Sequence, residues 1–248
     1  MNAIILAAGV GRRLGPTHDK RPKCLLHVGQ HSLLARHLSL LAGRISHLDV
    51  VVGFKAEVIE KAIHIWRASN SASLSIDLMT NRDFDRGSIL SLAHGLRNAG
   101  PGDLLVMDAD VLYDHRLLDR LLNAPEATCL LIDEDAALQD EEMVIGVEGS
   151  RAAVLARAHV LGDLSRWDRR GEGVGFLKVA QADRATLLTC VNEVIEEGRL
   201  LADYEEGVAR FLAHVHCGAC SVAGLPWLEI DFQDDLLRAE RQILPLLI

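Results

Sequence analysis

Short apolar runs alternate with amphipathic segments along the first 150 residues of this 248-residue chain. Apolar runs of this length are typical of strands that are buried on both faces. The predicted strands are Ala3–Ala7, Leu48–Gly53, Leu74–Thr80, Asp103–Met107, Thr128–Ile132 and Val144–Val147. The segments between them carry apolar residues at helical spacing, and the predicted helices are Ser32–Leu41, Ala56–Arg67, Ser88–Arg97 and His115–Leu122. The alternation predicts an α/β fold, with a Rossmann-like, mostly parallel sheet and helices on both faces.

The pattern becomes less regular after Asp133. Residues 133–142 form an acidic connector, which we interpret as a solvated loop rather than a cation site. Further strands are predicted at Ala152–Val160, Gly173–Val179, His216–Val222 and Leu228–Asp231, and helices at Asp183–Glu197, Tyr204–Ala213 and Gln233–Leu244. Because no repeat, low-complexity tract or Pro/Gly linker divides the chain, the sequence predicts one domain that spans residues 1–248.

The charge and cysteine content narrow the class of protein. The chain has 26 Lys and Arg against 35 Asp and Glu, a net charge of −9, which argues against a nucleic-acid partner. No apolar run approaches the ~20 residues of a membrane span, so we expect no membrane partner. The first residues have no basic region ahead of the apolar run and are predicted as a strand, not a signal peptide. Five scattered cysteines form no disulfide framework and favour a cytoplasmic location.

A cluster of metal-ligating residue types occurs at residues 214–220. His214, His216, Cys217 and Cys220 are all types that bind zinc. In a strand, however, alternation places Cys217 on the face opposite to the other three side chains. We therefore favour buried thiols and surface histidines at this position over a metal site.

A glycine-rich loop follows the first predicted strand, in the segment Leu6–Leu14 (LAAGVGRRL). Small residues there let the backbone approach a ligand, and exposed N–H groups can bind phosphate. The spacing excludes a dinucleotide fingerprint, because Leu14 stands where the third glycine is needed, and the Gly-Lys-Ser/Thr of a P-loop is absent. Five basic residues lie in the twelve positions from Arg12 to Lys23, namely Arg12, Arg13, Lys20, Arg21 and Lys23. The loop therefore predicts a polyphosphate site.

Carboxylates occur at two further predicted strand ends. Asp108 and Asp110 follow a buried strand, at the edge of the sheet where α/β proteins bind ligands. Near the end of the chain, alternation places Glu229 and Asp231 on one face of a strand. Such carboxylates could hold a divalent ion. Spacing along the chain does not show whether these two carboxylate segments, which are more than 100 residues apart, meet in the fold.

The two ends of the chain carry a family resemblance. Leu6–Leu14 followed by Pro22-Lys23 resembles the opening signature of the nucleotidyltransferases that make nucleotide-activated sugars and alcohols. The segment Trp227-Leu228-Glu229-Ile230-Asp231 resembles the late segment of cytidylyltransferases that act on phosphocholine, inositol phosphate and phosphonates. Weaker similarities occur at Arg86–Leu92, which resembles a base-reading segment, and at Gly171–Phe176, which resembles a strand beside the acceptor pocket.

The resemblance implies a role for each matching residue. Lys23 and Arg13 would neutralise the reacting phosphates and the leaving pyrophosphate. Asp110 and Asp231 would bind Mg²⁺, with Asp108 as a further ligand. The implied nucleotide contacts are Leu6, Ala7, Ala8, Gly9, Gly11, Arg12 and Ser88. The implied acceptor contacts are Glu172, Tyr204 and Trp227. A plain helix cap is an equal alternative for Ser88. Residues 1–132 would bind the nucleotide, and residues 133–248 would bind the acceptor and complete the metal site.

The resulting hypothesis is Mg²⁺-dependent transfer of CMP from CTP to a small phosphorylated or phosphonylated alcohol or amine. A choline group would need an aromatic cage, whereas a primary amine would need an acid such as Glu172, Asp203 or Glu205. The alternatives are a sugar-1-phosphate enzyme that uses UTP or dTTP, a molybdopterin-type nucleotidyltransferase, and a nucleotide-binding regulatory subunit without turnover. The sequence leaves a homodimer open.

Overall fold

The computed structural model describes residues 1–14, 21–70 and 74–247, and for Arg12 it describes the backbone only. Lys20, one of the predicted phosphate-binding residues, lies outside the described residues. The helices are α1 Leu33–Leu41, α2 Ala56–Ser69, α3 Ser88–Asn98, α4 His115–Leu122, α5 Ala158–Leu161, α6 Arg184–Glu196, α7 Tyr204–Leu212 and α8 Gln233–Arg238. The strands are β1 Asn2–Ala7, β2 His27–Val28, β3 His31–Ser32, β4 His47–Val52, β5 Ser75–Thr80, β6 Leu104–Asp108, β7 Val111–Tyr113, β8 Cys129–Asp133, β9 Met143–Glu148, β10 Arg151–Arg157, β11 Arg169–Val179, β12 Gly218–Ser221 and β13 Trp227–Glu229.

Nine of these strands form one sheet in the order β5-β4-β1-β6-β11-β8-β12-β10-β9. The predicted α/β fold is confirmed. Strands β5, β4, β1 and β6 pair in parallel, as βαβ crossovers require. Strand β11 inserts between β6 and β8 and pairs antiparallel to both, so strands of the two halves interleave in one sheet.

The strands of the second half are connected differently. Strands β9 and β10 form an antiparallel hairpin whose turn contains Gly149 at φ +59°, a conformation that glycine adopts without strain. The strand predicted at Ala152–Val160 is shorter in the structure, where β10 ends at Arg157 and α5 begins at Ala158. A hairpin allows antiparallel pairing without a crossover helix, and the sheet is mixed for this reason.

Helices pack on both faces of the sheet. Ala3 and Ile5 of β1 join a core with α1, α2 and α4, whereas Ile4 joins a second core with α3, α6 and α7. Alternation also separates Cys217, which is buried in the second core, from Cys220, which packs against the first. The predicted opposite faces of these two thiols are confirmed.

Two helix starts test the predicted caps. The Ser32 hydroxyl accepts a hydrogen bond from the Ala35 N–H and caps α1. Helix α3 begins after Gly87, and the Ser88 hydroxyl instead accepts from the N–H of Tyr204. The alternative of a helix cap at Ser88 is therefore wrong, because the side chain joins α3 to the start of α7. Within the described ranges, no helix is long and apolar enough to cross a membrane.

Candidate active site

A cavity of about 1010 Å³ opens at the carboxyl ends of the parallel strands. The glycine-rich loop forms one wall, where Gly11 adopts φ +66° and the Ala8 carbonyl accepts from the N–H of Phe54. A Cβ at position 11 would lie 3.5 Å from Cγ of Lys23, so the loop packs closely on that side chain. Six of the predicted nucleotide contacts line the cavity, namely Leu6, Ala7, Ala8, Gly9, Gly11 and Ser88. The side chain of Arg12 is not described.

Lys23 lies between two carboxylates that come from distant parts of the chain. Its Nζ donates to Oδ2 of Asp110 at 2.6 Å and also to Oδ1 of Asp231. All three side chains are less than one-fifth exposed. Burial alone would lower the pKa of Lys23, but the charges of Asp110 and Asp231 outweigh it and raise that pKa above the ordinary lysine value. The ammonium therefore stays charged.

A two-stranded ribbon brings the two carboxylates together. Strand β7 pairs antiparallel with β13, so that Val111 stands opposite Glu229. The Ile230 N–H then donates to the Asp110 carbonyl at 3.1 Å, which fixes the backbone of both carboxylate segments side by side. This pairing is the physical link between Asp110 and Asp231 that sequence spacing did not supply.

The turn after β13 holds Asp231 in place. Oδ2 of Asp235 accepts from the backbone N–H groups of Asp231 at 3.1 Å and Phe232 at 2.8 Å. Arg13 adds a second cation, since its Nη1 lies 2.7 Å from Oδ2 of Asp231 and its guanidinium lies over the Phe232 ring at 6.0 Å. Each oxygen of Asp231 thus contacts one cation.

Asp110, Glu229 and Asp231 form a group of carboxylates that could hold a metal ion. Each offers one oxygen, and these oxygens lie within 4.8 Å of one another. An all-oxygen set of this kind suits a hard divalent cation such as Mg²⁺. The ammonium group of Lys23 already lies between two of the three carboxylates, Asp110 and Asp231, so this position accommodates positive charge. The residues therefore fit the predicted ion. Burial and the charges of Asp110 and Asp231 raise the pKa of Glu229 well above its ordinary value.

Asp108 has different partners from the other predicted metal ligands. Its Oδ2 accepts from the Tyr204 hydroxyl at 2.7 Å, and it is not in the carboxylate group that the described side chains form. Burial, then the charges of Asp110 and Glu205, raise its pKa well above that of an ordinary aspartate. Gly175, at φ +80°, leaves room for this carboxylate, because a Cβ there would collide with it.

Acidic residues line the cavity on the side of the second half of the chain. Glu172 lies there beside Glu142, and burial together with the charge of Glu142 raises the pKa of Glu172 to about 8. Burial also raises the pKa of Glu205 to about 7, and its Oε2 is buried without a hydrogen-bond partner. Arg157 binds Asp203 at 2.8 Å on the same side.

Of the three predicted acceptor residues, the structure places two at the cavity. Glu172 and Tyr204 line it, whereas the half-buried Trp227 packs against the core and donates its Nε1 hydrogen to Oδ2 of Asp133 at 2.7 Å. Sequence reasoning named Glu205 only as one of three acids that could bind a primary amine, and it missed Glu142. Alternation placed Glu229 on the face of Asp231, but Glu142 ends the acidic connector that the sequence favours as a solvated loop, and the structure places it at the cavity.

The sequence and the fold both match known proteins. Residues 3–185 match the family described as the MobA-like NTP transferase domain, which is more than half of the chain. The chain belongs to this family. The matched residues of the MobA-like domain include the glycine loop, Lys23 and Asp110, whereas Glu229 and Asp231 lie beyond them.

Several curated proteins are similar in sequence to this MobA-like chain. A CMP-5'-(3-aminopropyl)phosphonate synthase of Streptomyces rubellomurinus is 30% identical over 131 residues, which is 52% of this chain and 20% of that protein. A bifunctional IPC transferase and DIPP synthase of Rubrobacter xylanophilus is 26% identical over 98% of this chain and 52% of that protein. A CTP:phosphoglutamine cytidylyltransferase of Campylobacter jejuni is 24% identical over 54% of this chain and 53% of that protein. The chain thus spans about half or less of these relatives.

Two solved structures share the fold of the MobA-like chain. The CTP:phosphocholine cytidylyltransferase of Streptococcus pneumoniae gives a TM-score of 0.73 at 19% identity, over 96% of this chain and 97% of that one. The inositol-1-phosphate CTP transferase of T. maritima gives a TM-score of 0.72 at 13% identity, over 98% of this chain and 97% of that one. At these identities the likeness shows the fold alone.

Proposed function

We propose that this chain is a CTP-dependent cytidylyltransferase that joins CMP to a small phosphorylated or phosphonylated amine and releases pyrophosphate. We further propose that residues 1–248 act as one domain, with the nucleotide held by 1–132 and the acceptor by 133–248. The observation that carries the proposal is the placement of Lys23 between Asp110 and Asp231, at the mouth of a cavity walled by the glycine loop. Two of the relatives named above, the CMP-phosphonate synthase and the CTP:phosphoglutamine cytidylyltransferase, support cytidine as the base.

The proposed nucleotide site uses the backbone more than side chains. Exposed N–H groups of the loop around Gly9 and Gly11 would bind the triphosphate, as glycine-rich loops at strand ends do. Arg13 is more than half exposed and can reach a leaving pyrophosphate from the rim. Ser88 lines the cavity beside the start of α7, where its fixed hydroxyl could read the edge of the base.

The proposed reaction needs no general base. A phosphate or phosphonate oxygen of the acceptor attacks the α-phosphorus in line, a new P–O bond forms, and the bond to the β-phosphate breaks as pyrophosphate leaves. That oxygen is already ionised near neutral pH, since the second pKa of a phosphate is about 6. Lys23 would neutralise charge on the reacting phosphates, and Asp110, Glu229 and Asp231 would hold Mg²⁺. When bound, the ion lowers the repulsion between the anionic reactants.

The charge of the cavity favours a cationic acceptor. Glu172 and Glu205 place buried carboxyl groups in the half that should hold the acceptor, and one oxygen of Glu205 has no partner. A primary ammonium group would supply donors to such oxygens. Among described residues, the aromatic side chains that line the cavity are Phe84, Tyr204 and Phe232. The Tyr204 hydroxyl donates to Asp108, and Trp227 packs against the core outside the cavity lining. We therefore favour an amine such as 2-aminoethylphosphonate over the quaternary ammonium of phosphocholine.

Pyrophosphate release tests this proposal. The purified chain is incubated with Mg²⁺ and each of CTP, UTP, dTTP, ATP and GTP, in combination with 2-aminoethylphosphonate, phosphocholine, inositol phosphate or a hexose 1-phosphate. We expect release that depends on CTP and is fastest with the primary amine. Release only with UTP or dTTP and a sugar phosphate would overturn the cytidylyltransferase assignment and retain the fold. Nucleotide binding without release for every pair would favour a regulatory subunit.

A further inference from the structure

We propose that His47, Asp49 and Asp77 form a second cation site, which binds a divalent transition ion of the Zn²⁺ type. The three residues lie on the amino-terminal halves of β4 and β5, whereas the catalytic cavity lies at the carboxyl ends of the parallel strands. Parallel pairing places Asp49 opposite Asp77 and His47 opposite Ser75. The side chains of these four residues therefore share one face of the sheet at its edge strand. This inference does not depend on the proposed transferase function.

The distances within the group suit a metal ion. One ligand atom from each of the three residues lies within 4.8 Å of the other two. Nε2 of His47 lies 2.9 Å from Oδ1 of Asp49 and 3.6 Å from Oδ2 of Asp77. Ligands at the usual zinc distances in a tetrahedral site are separated by about 3.3 Å, which lies between these two values. One imidazole and two carboxylates form a donor set that zinc accepts, with a fourth position for water.

Ser75 orients the imidazole for such a role. Nδ1 of His47 lies 3.1 Å from the Ser75 hydroxyl, on the side of the ring that faces away from the carboxylates. A hydrogen on Nδ1 that is donated to Ser75 leaves the lone pair on Nε2, which faces Asp49 and Asp77. A second ring nitrogen held by a neighbouring group is characteristic of histidine ligands in metal sites.

Asp49 supplies the observation that separates this group from an ordinary surface ion pair. Its side chain is 2% exposed, and its Oδ2 is buried without a hydrogen-bond partner. The contact with His47 Nε2 satisfies only Oδ1 and leaves the second oxygen unpaired, which is costly for a buried carboxylate. A divalent ion in contact with the carboxylate would balance more of its buried charge.

The exposure of the other two ligands would let the ion exchange with solvent. The His47 side chain is 25% exposed and that of Asp77 is 72% exposed. Because β5 is an edge strand that pairs only with β4 in the described sheet, an ion bound by both strands would fasten the sheet edge. We expect a structural role for this ion and no change in nucleotide transfer when it is removed.

Cobalt provides the probe, because tetrahedral Co²⁺ absorbs strongly in the visible range, whereas an octahedral all-oxygen site absorbs weakly. The metal-free protein is titrated with Co²⁺ and then with Zn²⁺. We expect a visible band that saturates at one equivalent per chain, disappears when Zn²⁺ is added, and persists in Asp231→Asn. It should lack the near-ultraviolet band of thiolate ligation, which separates this site from the cysteines. Ser75→Ala should weaken binding about tenfold, as loss of an outer-shell partner does.

Two variants and one control complete the test. His47→Gln and the exposed Asp77→Asn should each abolish the visible band, and circular dichroism checks that each variant is folded. His64→Gln is the matched control, because His64 lies 3.9 Å from a single carboxylate, Glu60, on the surface of α2, and it should keep the band. Absence of a band in the parent protein, or a band that both variants retain, would overturn the second cation site.

Discussion

The ammonium nitrogen of Lys23 lies 2.6 Å from Oδ2 of Asp110 and joins segments that are 87 residues apart. The same nitrogen binds Asp231, so one lysine is shared by two of the three carboxylates of the proposed Mg²⁺ site. This shared cation offsets part of the repulsion between the two acids. In the proposed function, the same cation would be in place for the phosphate groups of a bound triphosphate. Lys23 thus links the stability of the site to its proposed chemistry.

Lys23→Met should destabilise the protein because it leaves the carboxylates of Asp110 and Asp231 without their shared cation. We expect a loss of about 2 kcal/mol, since the groups are largely but not fully buried. That loss corresponds to a fall of roughly 4 to 8 °C in Tm for a chain of this size. Calorimetry with and without Mg²⁺ measures it, and the deficit should shrink when Mg²⁺ is present. The exposed Lys61→Met is the control, and an equal loss in both variants would contradict the role of Lys23.

Asp110→Asn and Asp231→Asn should each lower kcat by about 100-fold or more, as removal of one charged group that stabilises a transition state does. The KM for the acceptor should change much less, because the acceptor's cationic group is held elsewhere. Steady-state pyrophosphate release measures both constants. The exposed Asp234→Asn, three residues after Asp231, is the control for a change of charge alone. Normal turnover in either test variant would remove that carboxylate from the proposed site.

Above pH 8, where Glu172 is ionised, Glu172→Gln should raise the KM for an amine acceptor by about tenfold, since a charged hydrogen bond contributes about 1.5 kcal/mol or more. The KM for CTP should be unchanged, and Glu148→Gln, at the exposed end of β9, is the control. The pKa of Glu172 is about 8, so kcat/KM for the amine should rise as pH increases through 8 in the parent protein only. A pH profile that is the same in parent and variant would exclude Glu172 from acceptor binding.

The raised pKa of Glu172 also has a defined effect on stability. Its ordinary value is 4.5, and folding raises it to about 8 through burial and the charge of Glu142. Folding therefore favours the protonated acid, and the stabilisation is complete below pH 4.5 and is lost as pH rises through 8. The parent protein should lose more stability than Glu172→Gln across this window.

Gly175→Ala should destabilise the protein more than Gly198→Ala. Both glycines have positive φ, +80° and +81°, so both variants bear the same backbone cost of about 1 kcal/mol. A Cβ at 198 meets open space, whereas a Cβ at 175 collides with the carboxylate of Asp108. We expect the collision to add about 1 to 3 kcal/mol. Urea denaturation of the two variants measures the difference, and equal losses would show that Asp108 moves aside freely.

Sequence patterns predicted most of the fold because the first half is built from local βαβ units. Strand β1 and helix α4 follow directly from buried apolar runs and helical spacing, and the strand after Glu148 was misjudged only at its end. The mixture of parallel and antiparallel pairing in the sheet was harder to predict from the sequence. It depends on the insertion of β11 between β6 and β8, which brings together segments far apart in sequence.

The candidate site was predictable where a strand end marks it. Asp110 follows the buried strand β6 and Asp231 follows the half-buried strand β13, but their contact depends on the β7–β13 ribbon, a long-range pairing that no local signal shows. Trp227 was predicted as an acceptor contact because it lies beside a site motif, but its side chain packs against the core. A sequence motif does not show which way an aromatic side chain beside it faces. Glu142 was missed because it ends an acidic segment that is typical of a solvated loop, and only the tertiary structure places it beside Glu172 at the cavity.

The most direct test of the account is the fate of the phosphorus atoms of CTP. CTP labelled at the α-phosphate or at the γ-phosphate is incubated with Mg²⁺, 2-aminoethylphosphonate and the purified chain, and the products are separated. We predict that the α-label appears in a CMP-linked phosphonate and the γ-label in pyrophosphate, in equal amounts. Cytidylyl transfer would be contradicted if both labels stayed in nucleotides and no pyrophosphate was released. It would also be contradicted if the α-label was transferred neither to this acceptor nor to any other small phosphorylated acceptor.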